Sequence, residues 1–248
     1  MRSHDQAIQD QFDSRAQAYL SSAVHAQGAD LAYASGLASG EAALDVGCGA
    51  GHLSFALAPS FKRVVALDPS PGMREVVAQT ARARGLPQVE THEGGAESLP
   101  FEDTTFDLVG TRFSAHHWRQ LETGLREMRR VLRPGGCALV IDTLGHENPL
   151  VDTHLQSIEL IRDPSHVRNR SASQWRGLLE AAGFRHLRLT QWSLRLEFAS
   201  WVERMRTPPS HVAVIRELQL GAAREVHEAL GLEADGSFSL QVGAFQAR

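Results

Sequence analysis

The chain has 248 residues, of which 42% are hydrophobic and 22% charged, and its formal net charge is −4. Because it holds no apolar run of about 18 residues, this composition excludes membrane-spanning, fibrous and disordered proteins. The net negative charge and the pI near 6.3 also exclude the broad basic surface expected of a nucleic-acid-binding protein.

The chain start and the two cysteines indicate a cytoplasmic protein. The opening residues MRSHDQAIQDQF are polar and lack the apolar region of a secretory signal. Cys48 and Cys137 are expected to be reduced, since a chain of this length buries enough apolar surface without a disulfide. We expect no stable membrane anchor, and the sequence leaves the oligomeric state open.

Short apolar runs alternate with amphipathic stretches, which is typical of a mostly parallel sheet covered by helices on both faces. Seven strands are predicted, at 43–46, 63–68, 89–94, 106–111, 137–143, 185–194 and 238–247. Helical patterns separate them, at 51–59, 72–84, 121–132, 149–162 and 173–182. The predicted fold class is therefore α/β.

Two further regions do not fit this alternation. Residues 1–40 resemble two helices ahead of the first strand, and residues 196–232 insert helical patterns before the last strand. Ligands of α/β sheets bind at the carboxyl ends of the strands, so both regions are candidate lids over that edge. The alternative is that they only extend the core. We expect an N-terminal helical lid over 1–40 and a main domain over 41–248.

The segment AALDVGCGAGHLS carries the most specific signal. Gly47, Gly49 and Gly51 follow an apolar strand directly and open an amphipathic helix. Glycine permits positive φ and lets the backbone approach a ligand closely. The G-x-G-x-G spacing differs from the G-x-G-x-x-G of dinucleotide-binding proteins, and Asp45 would repel a pyrophosphate. Asp45 suits a ligand that carries an ammonium or a sulfonium.

Asp68 ends the next apolar strand. A carboxylate at this position can accept hydrogen bonds from both hydroxyls of a ribose. The alternative is a local role, in which Asp68 caps the turn at Ser70-Pro71-Gly72.

Five ordered segments resemble the successive motifs of class I S-adenosylmethionine-dependent methyltransferases: DVGCGAG, ALDPSPGM, GGAESLPFEDTTFDLV, SAHHW and VLRPGG. The resemblance is to the type 11 branch that includes ubiquinone/menaquinone C-methyltransferase-like proteins, and it covers about residues 41–145. The flanks FDSRAQAYLSSAVHAQGADL and LIRDPSHVRNRSASQW are similar to a YcgJ-like bacterial subgroup. This resemblance implies a Rossmann-like fold, S-adenosyl-L-methionine as cofactor, and methyl transfer to an O, N or C atom of a small molecule.

The same resemblance implies roles for named residues. Asp45 and the three glycines would face the methionine part of the cofactor, Asp68 its ribose, and Ser70 and Met73 the ribose and adenine edge. The family usually has an Asp that accepts from the adenine amino group, whereas this chain has Gly95 there. That contact would fall to the backbone of Gly95 and Ala96, with help from Glu97.

Residues after the fourth strand would close the sugar and methionine side of the site: Arg112, Ser114 and His117. His116 is the candidate general base, because a histidine titrates near neutral pH. Strand-like alternation from Phe113 to Trp118 predicts that the two histidines point apart, so that only one faces the substrate. The alternative is that both only orient the loop, and that positioning of the acceptor suffices.

Metal catalysis is not expected, because no H-E-x-x-H or C-x-x-C motif occurs. A polar residue at a strand end, such as Asp142 after the fifth strand, more often lines a substrate pocket or caps a helix than binds a metal.

Phe12, Tyr19, Ser22 and His25 share one helical face, which is either core or part of the lid. In the second case Tyr19 and His25 would contact the cofactor or the substrate. The segment RDPSHVR at 162–168 either binds an acidic substrate group or forms only a capped turn.

Two rival functions stay open from the sequence. A nicotinamide-dependent oxidoreductase would share the broad fold but is disfavoured by the glycine spacing and Asp45. A catalytically inactive protein that binds S-adenosylmethionine as a scaffold or regulator would retain the same motifs.

Overall fold

Seven strands form one sheet in the computed structural model, which describes residues 3, 4, 6 and 28–248. In chain order they are β1 (Gly40–Val46), β2 (Phe61–Leu67), β3 (Val89–His92), β4 (Phe106–Arg112), β5 (Leu132–Thr143), β6 (Arg188–Leu196) and β7 (Phe238–Ala247). Their order across the sheet is β3-β2-β1-β4-β5-β7-β6. Pairing is parallel except for β7, which runs antiparallel to both β5 and β6. The predicted seven-stranded, mostly parallel α/β sheet is confirmed.

Helices join these strands close to the predicted positions. Over residues 28–248 they are α1 (Ala29–Ser35), α2 (His52–Leu57), α3 (Pro71–Ala83), α4 (Leu121–Val131), α5 (Pro149–Arg162), α6 (Ala172–Ala181), α7 (Phe198–Arg204), α8 (Pro209–Leu220) and α9 (Arg224–Leu230). Polar side chains start several of them: Ser70 caps α3, Asn148 caps α5, and Ser171 forms a capping box with Gln174 in α6. Each cap satisfies backbone N–H groups that have no partner within the helix.

The sheet is covered on both faces, as predicted. Successive residues of a strand point to opposite faces. In β1, Leu44 belongs to the apolar cluster that contains Leu125 of α4, whereas Ala43 belongs to the cluster that contains Leu53 of α2 and Val77 of α3. This two-sided burial explains why the strands read as continuous apolar runs rather than alternating ones.

The fifth strand begins well before its predicted start. We expected the fifth strand to start at residue 137, after the Pro134-Gly135-Gly136 turn signal, but β5 begins at Leu132. Leu132 pairs with Phe106 and Cys137 with Leu108, so the intervening residues bulge out of the ladder. The turn residues therefore produce an irregularity within the strand instead of ending it.

The predicted helical insertion before the last strand is formed by α7, α8 and α9. These helices pack with α5 around a third apolar cluster, which includes Ile158, Trp201, Ile215 and Val226. Of the predicted N-terminal lid over 1–40, α1 is seen, while residues 1, 2, 5 and 7–27 lie outside the described residues. None of the helices in the described part of the chain has the length and apolarity needed to span a bilayer.

Candidate active site

A cavity of about 360 Å³ opens at the carboxyl ends of β1, β2 and β4. Strands β2 and β3 lie on one side of β1, and β4 and β5 lie on the other, so the strand order reverses at β1. In α/β proteins, ligands bind at the point where the strand order reverses. The volume falls within the range of about 300–1,000 Å³ found for small-molecule sites. Most predicted site residues line it: Asp45, Gly47, Gly49, Asp68, Met73, Gly95, Ala96, Glu97, Arg112, Ser114 and His117.

The three glycines of the loop after β1 all have positive φ, at 68°, 50° and 84° for Gly47, Gly49 and Gly51. A Cβ atom on Gly47 would collide with the Ser114 side chain, whereas one on Gly49 would meet no atom within 4 Å. Gly49 thus presents bare backbone to the cavity. Gly51 does not line the cavity, which departs from the prediction, because its missing Cβ makes room for Phe55 and Val77.

Asp45 is buried at the end of β1 and lines the cavity. One of its two carboxylate oxygens accepts no hydrogen bond from the described residues. Its Oδ2 accepts hydrogen bonds from the Ser54 backbone N at 3.0 Å and the Ser54 hydroxyl at 2.6 Å. Its Oδ1 has no hydrogen-bond partner among the described residues. Burial raises the pKa of Asp45 to about 7, although the Ser54 hydrogen bonds and the Arg112 charge act in the opposite direction.

Arg112, at the end of β4, lines the same cavity, and one nitrogen of its guanidinium group has no acceptor among the described residues. Its Nε donates to Oδ2 of Asp30 in α1 at 2.5 Å, and both side chains are buried. Its Nη2 is buried without a hydrogen-bond partner within the described part of the chain. The cavity is therefore lined by a carboxyl acceptor and a guanidinium donor that the described protein groups leave unsatisfied, a pair that suits the ammonium and carboxylate of an amino acid.

Asp68 connects the glycine loop to the start of α3. Its Oδ2 accepts from the Gly49 N–H at 2.9 Å, and its Oδ1 accepts from the Ser70 N–H at 2.9 Å. Ser70 itself does not line the cavity, contrary to prediction, because its hydroxyl caps α3 by accepting from Met73 N at 3.0 Å. The local capping role considered for this turn is therefore present, and Asp68 also lines the cavity.

The far end of the cavity is formed by the loop after β3. Gly95 pairs with Ser98 in an isolated bridge, and Gly94, Gly95, Ala96 and Glu97 line the cavity. Carboxylates among the described lining residues come from Asp45, Asp68 and Glu97. Glu97 accepts a hydrogen bond from Gln120 N at 3.4 Å, which holds it at this end.

A second cavity of about 90 Å³ adjoins the first. Phe113 and His117 line both. The other lining residues come from the turn after β4, from β5, α5, the segment after α5, the last two strands and α7: His116, Thr143, Glu159, Arg162, Asp163, His166, Asn169, Leu194, Leu196, Trp201, Arg204 and Leu240. The helical insertion thus supplies part of the wall through Trp201 and Arg204.

His116 lines this second cavity and is held by Asp142 at the end of β5. Asp142 Oδ1 lies 2.6 Å from His116 Nδ1, and Asp142 Oδ2 accepts from the His116 backbone N at 3.1 Å. Burial lowers the pKa of His116, but the charge and hydrogen bond of Asp142, with Glu159 and Asp163, leave it above its ordinary value. The His116 Nε2 atom has no hydrogen-bond partner among the described residues.

The prediction that His116 and His117 point apart is wrong. Residues Ala115–His117 form a 3₁₀ turn rather than extended chain, and the two ring centroids lie 4.1 Å apart. The His166 ring is 5.7 Å from that of His116. Burial, followed by the neighbouring imidazoles, lowers the pKa of His117 to about 4 and that of His166 further. Of the three rings, His116 is the one whose pKa is raised.

The RDPSHVR segment forms the capped turn that is one of its two predicted roles, and binding of an acidic substrate group stays a prediction. Asp163 accepts from the backbone N of Ser165 at 2.9 Å and from its hydroxyl at 2.6 Å, which forms a turn after α5. Arg162, Asp163 and His166 nevertheless line the second cavity. Arg168 pairs with Asp152 at 2.8 Å instead.

Sequence reasoning missed Phe113 and Asn169. Phe113 lies between the cavities at a φ of 50°, a conformation that bulky side chains rarely adopt and that no sequence pattern announces. Asn169 lies just beyond the RDPSHVR segment.

Tyr19 and His25 are outside the described residues, so their predicted contacts stay predictions. Within residues 28–248, no three acidic, cysteine or imidazole side chains are grouped to hold a metal ion.

Known proteins share both the sequence and the fold. Residues 44–140 match the family model described as "Methyltransferase domain". The chain is 44% identical over 192 residues to the uncharacterised protein YafE of Escherichia coli K12, covering 77% of this chain and 93% of that protein. It is 34% identical over 200 residues to the uncharacterised methyltransferase YcgJ of Bacillus subtilis, covering 79% of each. The crystal structure of YcgJ superimposes with a TM-score of 0.83 and 30% identity, over 88% of this chain and 97% of YcgJ.

Proposed function

This chain belongs to the class I S-adenosylmethionine-dependent methyltransferases, and we propose that it transfers a methyl group to a small molecule whose reacting atom enters the second cavity. The proposal assigns the larger cavity to S-adenosylmethionine and the smaller one to the methyl acceptor. It is supported most directly by Asp45 Oδ1 and Arg112 Nη2, which lack hydrogen-bond partners among the described residues, belong to residues that line the same cavity, and complement the two charged groups of the methionine part.

The other lining residues fit the rest of the cofactor. Gly49 offers bare backbone, and the Asp68 carboxylate beside it is suited to accept from ribose hydroxyls. Gly95, Ala96 and Glu97 lie at the end left for the adenine. Ser70 would act indirectly, by holding the start of α3, and Gly51 by allowing α2 and α3 to pack.

S-adenosylmethionine supplies an electrophilic methyl carbon on a positively charged sulfur. The protein's task is to align the acceptor, exclude water and remove a proton where the acceptor carries one. His116 suits this last role, because Asp142 holds its Nδ1 and leaves Nε2 for the acceptor. Phe113 and His117 form the shared wall and would position the two reactants.

Calorimetry and a metabolite screen test this proposal together. S-adenosylmethionine and S-adenosylhomocysteine should bind the purified chain, and NAD should not. A cell extract incubated with protein and cofactor that carries a deuterated methyl group should yield labelled metabolites, identified by mass spectrometry. Binding without any labelled product would favour the non-catalytic alternative, and binding of NAD in place of both nucleosides would refute the assignment of the larger cavity.

A further inference from the structure

Asn169 leaves a buried donor unsatisfied in the wall of the second cavity. The side chain is 1% exposed, and its Nδ2 has no hydrogen-bond partner among the described residues. Its remaining groups are engaged: Oδ1 accepts from the Thr143 hydroxyl at 2.7 Å, and the backbone N and O bond to Gln156. Because a buried N–H group without an acceptor is costly, Nδ2 is a built contact for a ligand oxygen.

Asn169 and His116 are positioned by consecutive residues at the end of β5. Asp142 Oδ1 lies 2.6 Å from His116 Nδ1 and accepts from the Thr143 backbone N at 2.8 Å. Thr143 in turn donates to Asn169. This chain of contacts holds the His116 ring and the Asn169 amide in one arrangement, so the cavity offers an acceptor nitrogen and a donor nitrogen at set positions.

The charges and size of the cavity restrict what fits. Two carboxylates, of Glu159 and Asp163, and two guanidinium groups, of Arg162 and Arg204, line the cavity, and burial keeps His117 and His166 neutral near pH 7. Such a balance favours an uncharged group. The volume of about 90 Å³ is smaller than the cavity of about 150 Å³ that holds benzene, so a short polar group fits better than a whole ring.

We infer that the methyl acceptor carries a weakly acidic hydroxyl beside a carbonyl oxygen, as in an enol of a dicarbonyl compound or a hydroxamic acid. The hydroxyl donates to His116 Nε2, and the carbonyl oxygen accepts from Asn169 Nδ2. This inference rests on the proposed function, because it identifies the class of acceptor for the second cavity. It assigns the hydroxyl oxygen as the atom to be methylated.

Binding of isosteric small probes to the full chain tests the inference without turnover. Acetohydroxamic acid carries both groups, N-methylacetamide lacks the hydroxyl, and N-ethylhydroxylamine lacks the carbonyl. Each is titrated by ligand-observed NMR with and without S-adenosylhomocysteine. Acetohydroxamic acid should bind about threefold to tenfold more tightly than either analogue, as one hydrogen bond predicts. Equal affinities of the three probes would overturn the inference.

Three variants locate the binding. Asn169→Asp keeps the acceptor for Thr143 but removes the donor, and His116→Asn removes Nε2; each should weaken acetohydroxamic acid by about threefold or more. Asn148→Asp is the matched control, since this exposed helix cap retains its function as an aspartate. Loss of binding in the control, or none in the other two, would contradict the assigned contacts. Failure of S-adenosylhomocysteine to bind would count against the proposed function alone, because the probes are also titrated without it.

Discussion

Asp45 shows how one residue can prepare a site for a charged ligand. The end of β1 buries the carboxylate, and Ser54 satisfies only one of its oxygens. With its pKa raised to about 7, Asp45 is partly protonated at neutral pH. A cation placed against Oδ1 would favour the ionised form and release the proton.

We therefore expect proton release when S-adenosylmethionine binds. At pH 7 a fraction of a proton should leave per cofactor bound, because the pKa of Asp45 falls in the complex. Calorimetry in two buffers of different ionisation enthalpy measures this number. Asp45→Asn should bind more weakly and lose the buffer dependence. The same proton release in Asp45→Asn would show that another group titrates.

The raised pKa of His116 depends on Asp142. Removing the Asp142 charge leaves burial as the main influence, and burial lowers the pKa of His116. Since a base must be unprotonated to accept a proton, kcat/KM of the wild type should rise with pH through a pKa above that of ordinary histidine.

In Asp142→Asn this rising limb should move to lower pH, while the plateau at high pH falls by about tenfold or more because the ring is no longer oriented. His116→Asn should abolish the limb. The measurement is a pH profile of methyl transfer to an acceptor found in the metabolite screen. An unshifted limb in Asp142→Asn would mean that His116 is not the titrating base.

At the scale of elements, the turn between β1 and α2 requires glycine at two positions for different physical reasons. Gly51 has a positive φ and a packing requirement, whereas Gly49 has a positive φ and open space facing the cavity. Gly231, which ends α9, has a similar φ of 55° and also no atom within 4 Å of a built Cβ, but it lies outside the cavity lining. The two positions form a matched pair.

Gly49→Ala and Gly231→Ala should therefore lose similar stability, about 1–2 kcal/mol each, because alanine is strained in the left-handed region. Only Gly49→Ala should lose cofactor affinity, by about tenfold or more, since its methyl group enters the space beside the bound ligand. Urea denaturation and calorimetry measure the two effects. Similar cofactor affinities in both variants would place the ligand away from this loop.

For the whole molecule, buried neutral imidazoles predict sensitivity to acid. The folded pKa values of His117 and His166 lie below the unfolded value near 6.5, so the unfolded chain binds more protons as the pH falls below that value. Their contribution to stability is fully present above about pH 6.5 and is lost toward pH 4. Asp45 acts in the opposite direction, because its raised pKa contributes stability that declines as pH rises from 3.8 to about 7.

His166→Gln should make acid destabilisation less steep. One proton fewer is taken up on unfolding, so the free energy of unfolding should fall by up to about 1.4 kcal/mol less per pH unit below pH 6. Urea denaturation at pH 6.5, 5.5 and 4.5 measures the slope. His92→Gln removes an exposed imidazole and is the control. Parallel slopes in wild type and His166→Gln would contradict a depressed pKa at this position.

The sequence alone predicts the strands, most helices, the glycine loop and many, though not all, of the residues that line the larger cavity. These features are local: apolar periodicity, helix caps and glycine spacing depend on neighbours along the chain, and strand ends meet at one edge once a parallel sheet forms. The motif segments also sufficed to identify the family, because each lies in one contiguous stretch.

The assembly of the second cavity could not be predicted from the sequence. The His116–Asp142 pair joins residues 26 positions apart, and Asn169 reaches Thr143 over the same separation. Such contacts depend on the order of β4 and β5 in the sheet and on the path of the chain after α5, which no local pattern encodes. Ser70 and Gly51 are predicted from residue type to contact the ligand, but neither lines the larger cavity. The Ser70 hydroxyl caps α3, and Gly51 leaves room for Phe55 and Val77.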